Sequence, residues 1–247
     1  MARVVLIHGA FHELWGPHEL KARWLPALRD GLWHHGVELD EDDVDVCFYG
    51  DLFRRRPGTE ADAKLAASRI DVEQAMRTAG GDGLLAALDQ AANDAAFERT
   101  VDMMAALAAE PDLTLRIGGR LTEAIGPDTL VVVAHSLGTV VSYVNLCNHP
   151  HVAVHLVTLG SPLGHPMLAD HLSAMAPTAG GWPGSARSWV NVAAVGDQAT
   201  GGIDLSERYG PRVEHHVVDN GHRAHDALPY LNAEATGAAV ARALAGD

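Results

Sequence analysis

Apolar positions along the chain follow two rhythms. Short runs with few polar breaks stand at "RVVLIHG" (from Arg3), "TLVVVA" (from Thr129), "VAVHLVTLG" (from Val152) and "SWVNVAAVG" (from Ser188). Short apolar runs rich in β-branched residues fit strands covered on both faces of a parallel sheet. "DVDVCFYG" and "RVEHHVVD" are more mixed and predict two further strands, the second and the sixth in chain order. Between strands the spacing becomes helical. Leu20, Trp24, Leu28 and Leu32 recur every fourth residue, predicting a helix that continues through Pro26 and stops near Gly36. "RIGGRLTEAI" predicts a short helix closed by Pro127, and "TVVSYVNLCNH" predicts another. "NAEATGAAVARALAG" predicts a last helix with Asn232 as its N-cap. Strands alternating with helices imply an α/β fold with right-handed crossovers.

Residues 51–109 break this alternation. They are rich in Ala, Asp and Arg, and two helical stretches flank "GGDG". Leu84, Leu88, Ala92, Ala95 and Met103 keep a helical face there. The segment reads as a helical insertion in a core made of 1–50 and 110–247.

The 247 residues suffice for one large α/β domain, and a net charge of −14 disfavours a nucleic-acid binder. Arg54, Arg55 and Arg56 form the one dense basic run, short enough for a solvated loop. Cys47 and Cys147 show no disulfide or zinc spacing and read as buried thiols. No apolar run is long enough to cross a bilayer, so no stable membrane insertion is expected. The opening strand leaves no room for a signal peptide, and a cytoplasmic location is the expectation.

One stretch raises a chemical question. "VVVAHSLGTVV", from Val131, interrupts an apolar run with a His-Ser step between small residues. A strand that turns sharply into a helix at Ser136 would hold that residue in strained backbone and lift its hydroxyl above the sheet. Residues two before and two after must then be small, and Ala134 and Gly138 are. The helix N-terminus behind Ser136 favours developing negative charge.

This stretch resembles the nucleophile elbow of the α/β-hydrolase superfamily, with Ala134 in place of the first glycine. The resemblance implies an α/β-hydrolase fold whose sheet is reduced, six-stranded and mostly parallel, with helices on both faces. It makes the 51–109 insertion a cap. It also implies a chain order of nucleophile, acid, base. Asp197 follows the fifth strand and Gly196, and is the expected acid; Asp170 and Asp204 do not directly follow a strand. The base is expected in "DNGHRAHDALPYL" after the sixth strand. His225 precedes the Tyr230-Leu231 step, where similar lipase-like chains place it, and His222 is the alternative.

Two backbone amides should stabilise an oxyanion. Leu137 follows the nucleophile, and Ala10 follows the His8-Gly9 step that resembles esterases and lipases; Phe11 is the alternative to Ala10. His8 itself reads as a brace for the loop. "TLGSPLG" from Thr158 resembles a turn beside the active-site mouth of lipases, with Ser161 a turn residue.

The expected activity is ester hydrolysis of a small-molecule or lipid substrate, with no metal or organic cofactor. Thioester hydrolysis, acyl transfer and a non-catalytic binding module on the same fold are the alternatives. Acyl specificity and oligomeric state are not legible.

Overall fold

A computed structural model describes residues 2–54, 103, 106, 110–150, 152–165, 172, 180–184 and 186–246. The insertion expected over 51–109 therefore falls, past Arg54, outside the described residues except at Met103 and Ala106. Asp170 also lies outside them.

Six strands appear where the apolar runs stand: β1 (Val4–Ile7), β2 (Val44–Cys47), β3 (Val131–His135), β4 (His155–Leu159), β5 (Trp189–Ala194) and β6 (Val213–Val218). They form one sheet in the order β2-β1-β3-β4-β5-β6, and every pairing is parallel. The helices of the described residues are α1 (Pro17–Trp33), α2 (Pro111–Ala124), α3 (Leu137–Asn148), α4 (Leu205–Tyr209), α5 (Ala227–Asn232) and α6 (Glu234–Ala245).

Side chains alternate across the sheet, so each strand feeds two cores. Val5, Ile7, Val132, Ala134 and Leu156 meet Ile117 of α2, Tyr143 of α3 and Tyr209 of α4. Val4, Leu6, Val133, Val157 and Val192 meet Trp24 and Leu28 of α1, Tyr230 of α5 and Val240 of α6. This double burial is why β1 and β3 are continuous apolar runs; a buried Val or Leu contributes about 1.5–3 kcal/mol. α1 and α6 approach unusually closely. A methyl on Gly237 would lie 2.0 Å from the Gly31 carbonyl oxygen, so the two backbones touch with no side chain between them. The Thr236 hydroxyl donates to the Tyr230 carbonyl at 2.6 Å, tying α6 back to α5.

Several local expectations need correction. α2 begins at Pro111, well before Arg116, because proline sits in its first turn, where no helical N–H is needed. Asn232 is not the cap of the last helix. It ends α5, and Ala233, with extended backbone (φ −62°, ψ 137°), starts α6 without a side-chain cap. Cys47 is buried as expected, and burial pushes its thiol up to about 12. Cys147 is only half-buried. Arg54 is exposed, in keeping with a solvated run, and its guanidinium donates to the carbonyls of Glu13 (2.8 Å) and Trp15 (3.0 Å); Arg55 and Arg56 lie outside the described residues.

Candidate active site

The chain runs from β1 outward to β2, then returns to β3 on the other side of β1. The connections leaving the carboxyl ends of β1 and β3 therefore run in opposite directions, which makes this the switch point at which open parallel sheets commonly gather their ligands. Ser136 stands there. Its amide still pairs with the Leu159 carbonyl of β4 at 2.9 Å, while Leu137 already begins α3. One residue must turn strand into helix, and it does so at φ 52°, ψ −126°. Such backbone costs about 1–3 kcal/mol for a residue with a Cβ. Among the described residues, Ser136 and Phe11 (φ 70°) are the two non-glycines with positive φ. Phe11 lies in the loop after β1, so both strains are stored at the switch point.

Packing explains the small neighbours. A methyl on Gly138 would lie 2.5 Å from the His8 carbonyl oxygen and 2.7 Å from that of Ile7. One on Gly9 would lie 2.6 Å from the Ser136 Cβ. Ala134 is fully buried between Ile7 and Thr158 in the sheet, which accommodates its methyl. The Thr139 hydroxyl donates to the Ser136 carbonyl at 2.6 Å and shares a 2.8 Å hydrogen bond with the Ser161 hydroxyl. Ser161 thus braces the turn from below.

Two remote segments converge on the serine. His225 Nε2 lies 2.9 Å from Ser136 Oγ. His225 Nδ1 lies 2.9 Å from Asp197 Oδ1 and 3.0 Å from Oδ2. A carboxylate only accepts, so Nδ1 carries the proton and donates it to Asp197, leaving Nε2 bare to accept the serine O–H. Asp197 turns out of β5 after Gly196 (φ 78°), and its carboxylate is fully shielded from solvent while the imidazole keeps 15% exposure.

Further partners hold this pair. The Ala199 amide donates to Asp197 Oδ1 at 3.0 Å. The Tyr230 hydroxyl donates to Oδ2 at 2.6 Å and accepts the Ala194 amide at 2.7 Å. Burial, then the Asp197 charge, pushes the Tyr230 phenol far above its ordinary value, so it stays a protonated donor. His135 Nε2–H donates to the His225 carbonyl at 3.0 Å. Burial holds the His135 pKa well below its ordinary value, so this ring is neutral.

On the other wall, His8 Nδ1–H donates to the Gly9 carbonyl at 2.7 Å, and its Nε2 accepts the Tyr49 amide at 3.0 Å. Burial lowers its pKa from 6.5 to about 3, which keeps that acceptor bare. His12 Nδ1–H donates to the Ala10 carbonyl at 2.8 Å. Carbonyl and amide of one planar trans peptide point opposite ways, so tying these carbonyls to the histidines turns the amides of Ala10 and Phe11 away from them. Leu137 is the first residue of α3, where an amide has no helical carbonyl to pair with.

Asp204 stands apart from the site. It caps α4 by accepting the Ser206 amide at 2.7 Å, with His215 Nδ1 at 3.6 Å. His222 belongs to the turn Gly221–Arg223, and its side chain lies outside the description. Ser136 and Asp197, singled out in the sequence together with His225, each lie within hydrogen-bond distance of it, whereas the Tyr230 hydroxyl and the His135 ring had been given no role. The available signals were a tyrosine one turn past the base and a histidine where any residue would serve the elbow.

Among the described residues no group of three His, Cys, Asp or Glu side chains is arranged to hold a metal ion. No helix among them is long and apolar enough to cross a membrane. A cavity of about 580 Å³ opens at the β2 edge, lined by Trp15, Cys47, Phe48, Asp51 and Arg120 among others; Ser136 does not line it, so the hydrogen-bond geometry rather than cavity size defines the site. Comparison with protein-family models, curated proteins and solved structures finds no match to this chain.

Proposed function

We propose that the protein is a serine hydrolase of the α/β-hydrolase type that cleaves carboxylic esters through an acyl-enzyme. The observation that carries this reading is the strained Ser136, with its hydroxyl 2.9 Å from an imidazole nitrogen left bare by Asp197. Ser136 Oγ attacks the ester carbonyl as its proton passes to His225 Nε2. The amides of Leu137 and Ala10 receive the developing oxyanion, and Phe11 lies next to Ala10 as the alternative donor; one such donor is worth about 10²–10³ in rate. His225 returns the proton to the leaving alcohol, and the acyl group stays on Ser136. Water, deprotonated by the same imidazole, then releases the acid. Asp197 holds the imidazole in its tautomer and stabilises the imidazolium throughout.

A 2.9 Å serine–imidazole contact weighs against a binding module that has lost catalysis. Thioesters and acyl transfer to alcohols would use the same atoms. Nitrophenyl esters of increasing chain length test the reading, together with labelling of Ser136 by a fluorophosphonate. Hydrolysis and labelling that both vanish in Ser136→Ala support it. Absence of both in the native protein ends it.

A further inference from the structure

We propose that Tyr230 is a positioning residue of this site, acting through Asp197: its hydroxyl, clamped by the Ala194 amide of β5, holds Oδ2 and fixes the carboxylate against His225. The inference rests on the hydrolase reading above and deepens it.

The geometry is specific. The carboxylate is fully shielded, so every lone pair must be satisfied from within. Oδ1 has the Ala199 amide and His225 Nδ1. Oδ2 shares that Nδ1, and its one other hydrogen bond among the described residues is the Tyr230 hydroxyl at 2.6 Å. The hydroxyl is itself aimed, because the Ala194 amide occupies its acceptor side at 2.7 Å and leaves its proton to Asp197. The ring is fully buried on α5, in the core that covers this face of the sheet. Gly160 makes the approach possible. A methyl there would lie 2.9 Å from Asp197 Oδ2, 3.0 Å from Tyr230 Cε2 and 3.3 Å from His225 Nδ1. The glycine of the "GSP" step thus stands at the centre of the acid, the base and the phenol.

Removing the hydroxyl has two consequences. The carboxylate loses the anchor opposite the imidazole and is free to turn. Its charge also loses a donor, so the imidazolium is favoured more strongly and the base is protonated at higher pH. Among the described residues the titratable groups facing the pair include Tyr230 and His135, whose ring centroid lies 5.0 Å from that of His225; His12 and His8 act on His135 in turn. Burial lowers the pKa values of both His135 and His12.

The test is Tyr230→Phe, which keeps the ring. The expected result is a kcat about tenfold lower, KM within about twofold, and an acid limb of kcat/KM displaced to higher pH by about one unit. In an Asp197→Asn background the same substitution changes kcat by less than about twofold, since the two residues act as one unit. Site-specific 3-fluorotyrosine at 230, a stronger donor that preserves the fold, moves the acid limb the other way. Independently of turnover, the far-downfield proton NMR signal of the His225–Asp197 hydrogen bond titrates with a higher midpoint in Tyr230→Phe. An unchanged pH profile and NMR midpoint in both variants, or an undiminished effect in the Asp197→Asn background, overturns the proposal. A native protein that shows the NMR response but neither hydrolyses esters nor is labelled at Ser136 overturns the hydrolase reading and leaves the positioning role standing.

Discussion

Acidification should weaken this fold well above the pH at which its carboxylates titrate, and His8 sets the scale. The ring is fully buried, with Nε2 bare to accept the Tyr49 amide, and its pKa falls from 6.5 to about 3 by desolvation. Between those values the unfolded chain binds a proton that the folded chain refuses. Stability is therefore complete above about pH 6.5 and falls as the pH drops toward 3. At pH 5 the loss from His8 alone is about 2 kcal/mol. That is a large share of a typical 5–15 kcal/mol domain stability, a range of order ~10 kcal/mol. His12, His135, His155, His165 and His215 are all lowered by burial and act in the same direction. The carboxylates of Asp51, Asp204 and Glu214 are shifted down from 3.8, 3.8 and 4.5, so their contribution is lost only below those values. The window from pH 7.5 to 5 thus reports on imidazoles. Urea unfolding followed by far-UV circular dichroism at each pH measures the change, with the denaturant slope held constant as the check on a two-state comparison. His8→Gln should be weaker at pH 7.5 yet show a shallower pH dependence. Equal native stability at pH 7.5 and 5, or an undiminished slope in His8→Gln, refutes the reasoning.

Other perturbations follow from the same geometry. Ser136→Gly and Ser136→Ala both lose the hydroxyl, but only glycine relieves the positive φ; Ser136→Gly should melt about 2–4 °C above Ser136→Ala, a gap of about 1 kcal/mol. Equal melting temperatures would mean that the turn stores no strain. Gly138→Ala drives a methyl to 2.5 Å from the His8 carbonyl and should cost about 1–3 kcal/mol together with most esterase activity, read by thermal melt and turnover. Asp197→Asn should lower kcat by about 10⁴ with little change in KM, because the amide no longer selects the Nδ1–H tautomer; a loss confined to KM would argue against that role.

Particular residues show what the chain made legible. β1 and β3 were plain because a strand covered on both faces has no polar side to blur it. Ser136 was findable because its neighbours are small, and the close approach of the Ile7 and His8 carbonyls shows why bulk is forbidden at Gly138. Asp197 and His225 were singled out from strand ends together with the chain order that the resemblance implies. α4, five residues long and capped by Asp204, carries too few turns for a periodicity. The break at Ala233 escaped because Asp226 caps α5 first, and Thr236 bonds back across the junction instead of Asn232 serving as a cap. Tyr230 read as one more core aromatic. Its hydroxyl matters only through Ala194 and Asp197, which lie 36 and 33 residues away along the chain, and no local pattern records such a meeting.

The contact of Gly31 on Gly237 leaves neither position room for one more carbon. At that point no side chain separates α1 from α6, so a methyl on Gly237 would force the helices apart and loosen the joint. Through the Thr236 hydroxyl the loosening passes to the helix that carries Tyr230. An added carbon at either glycine would thus be felt at the phenol that meets Asp197.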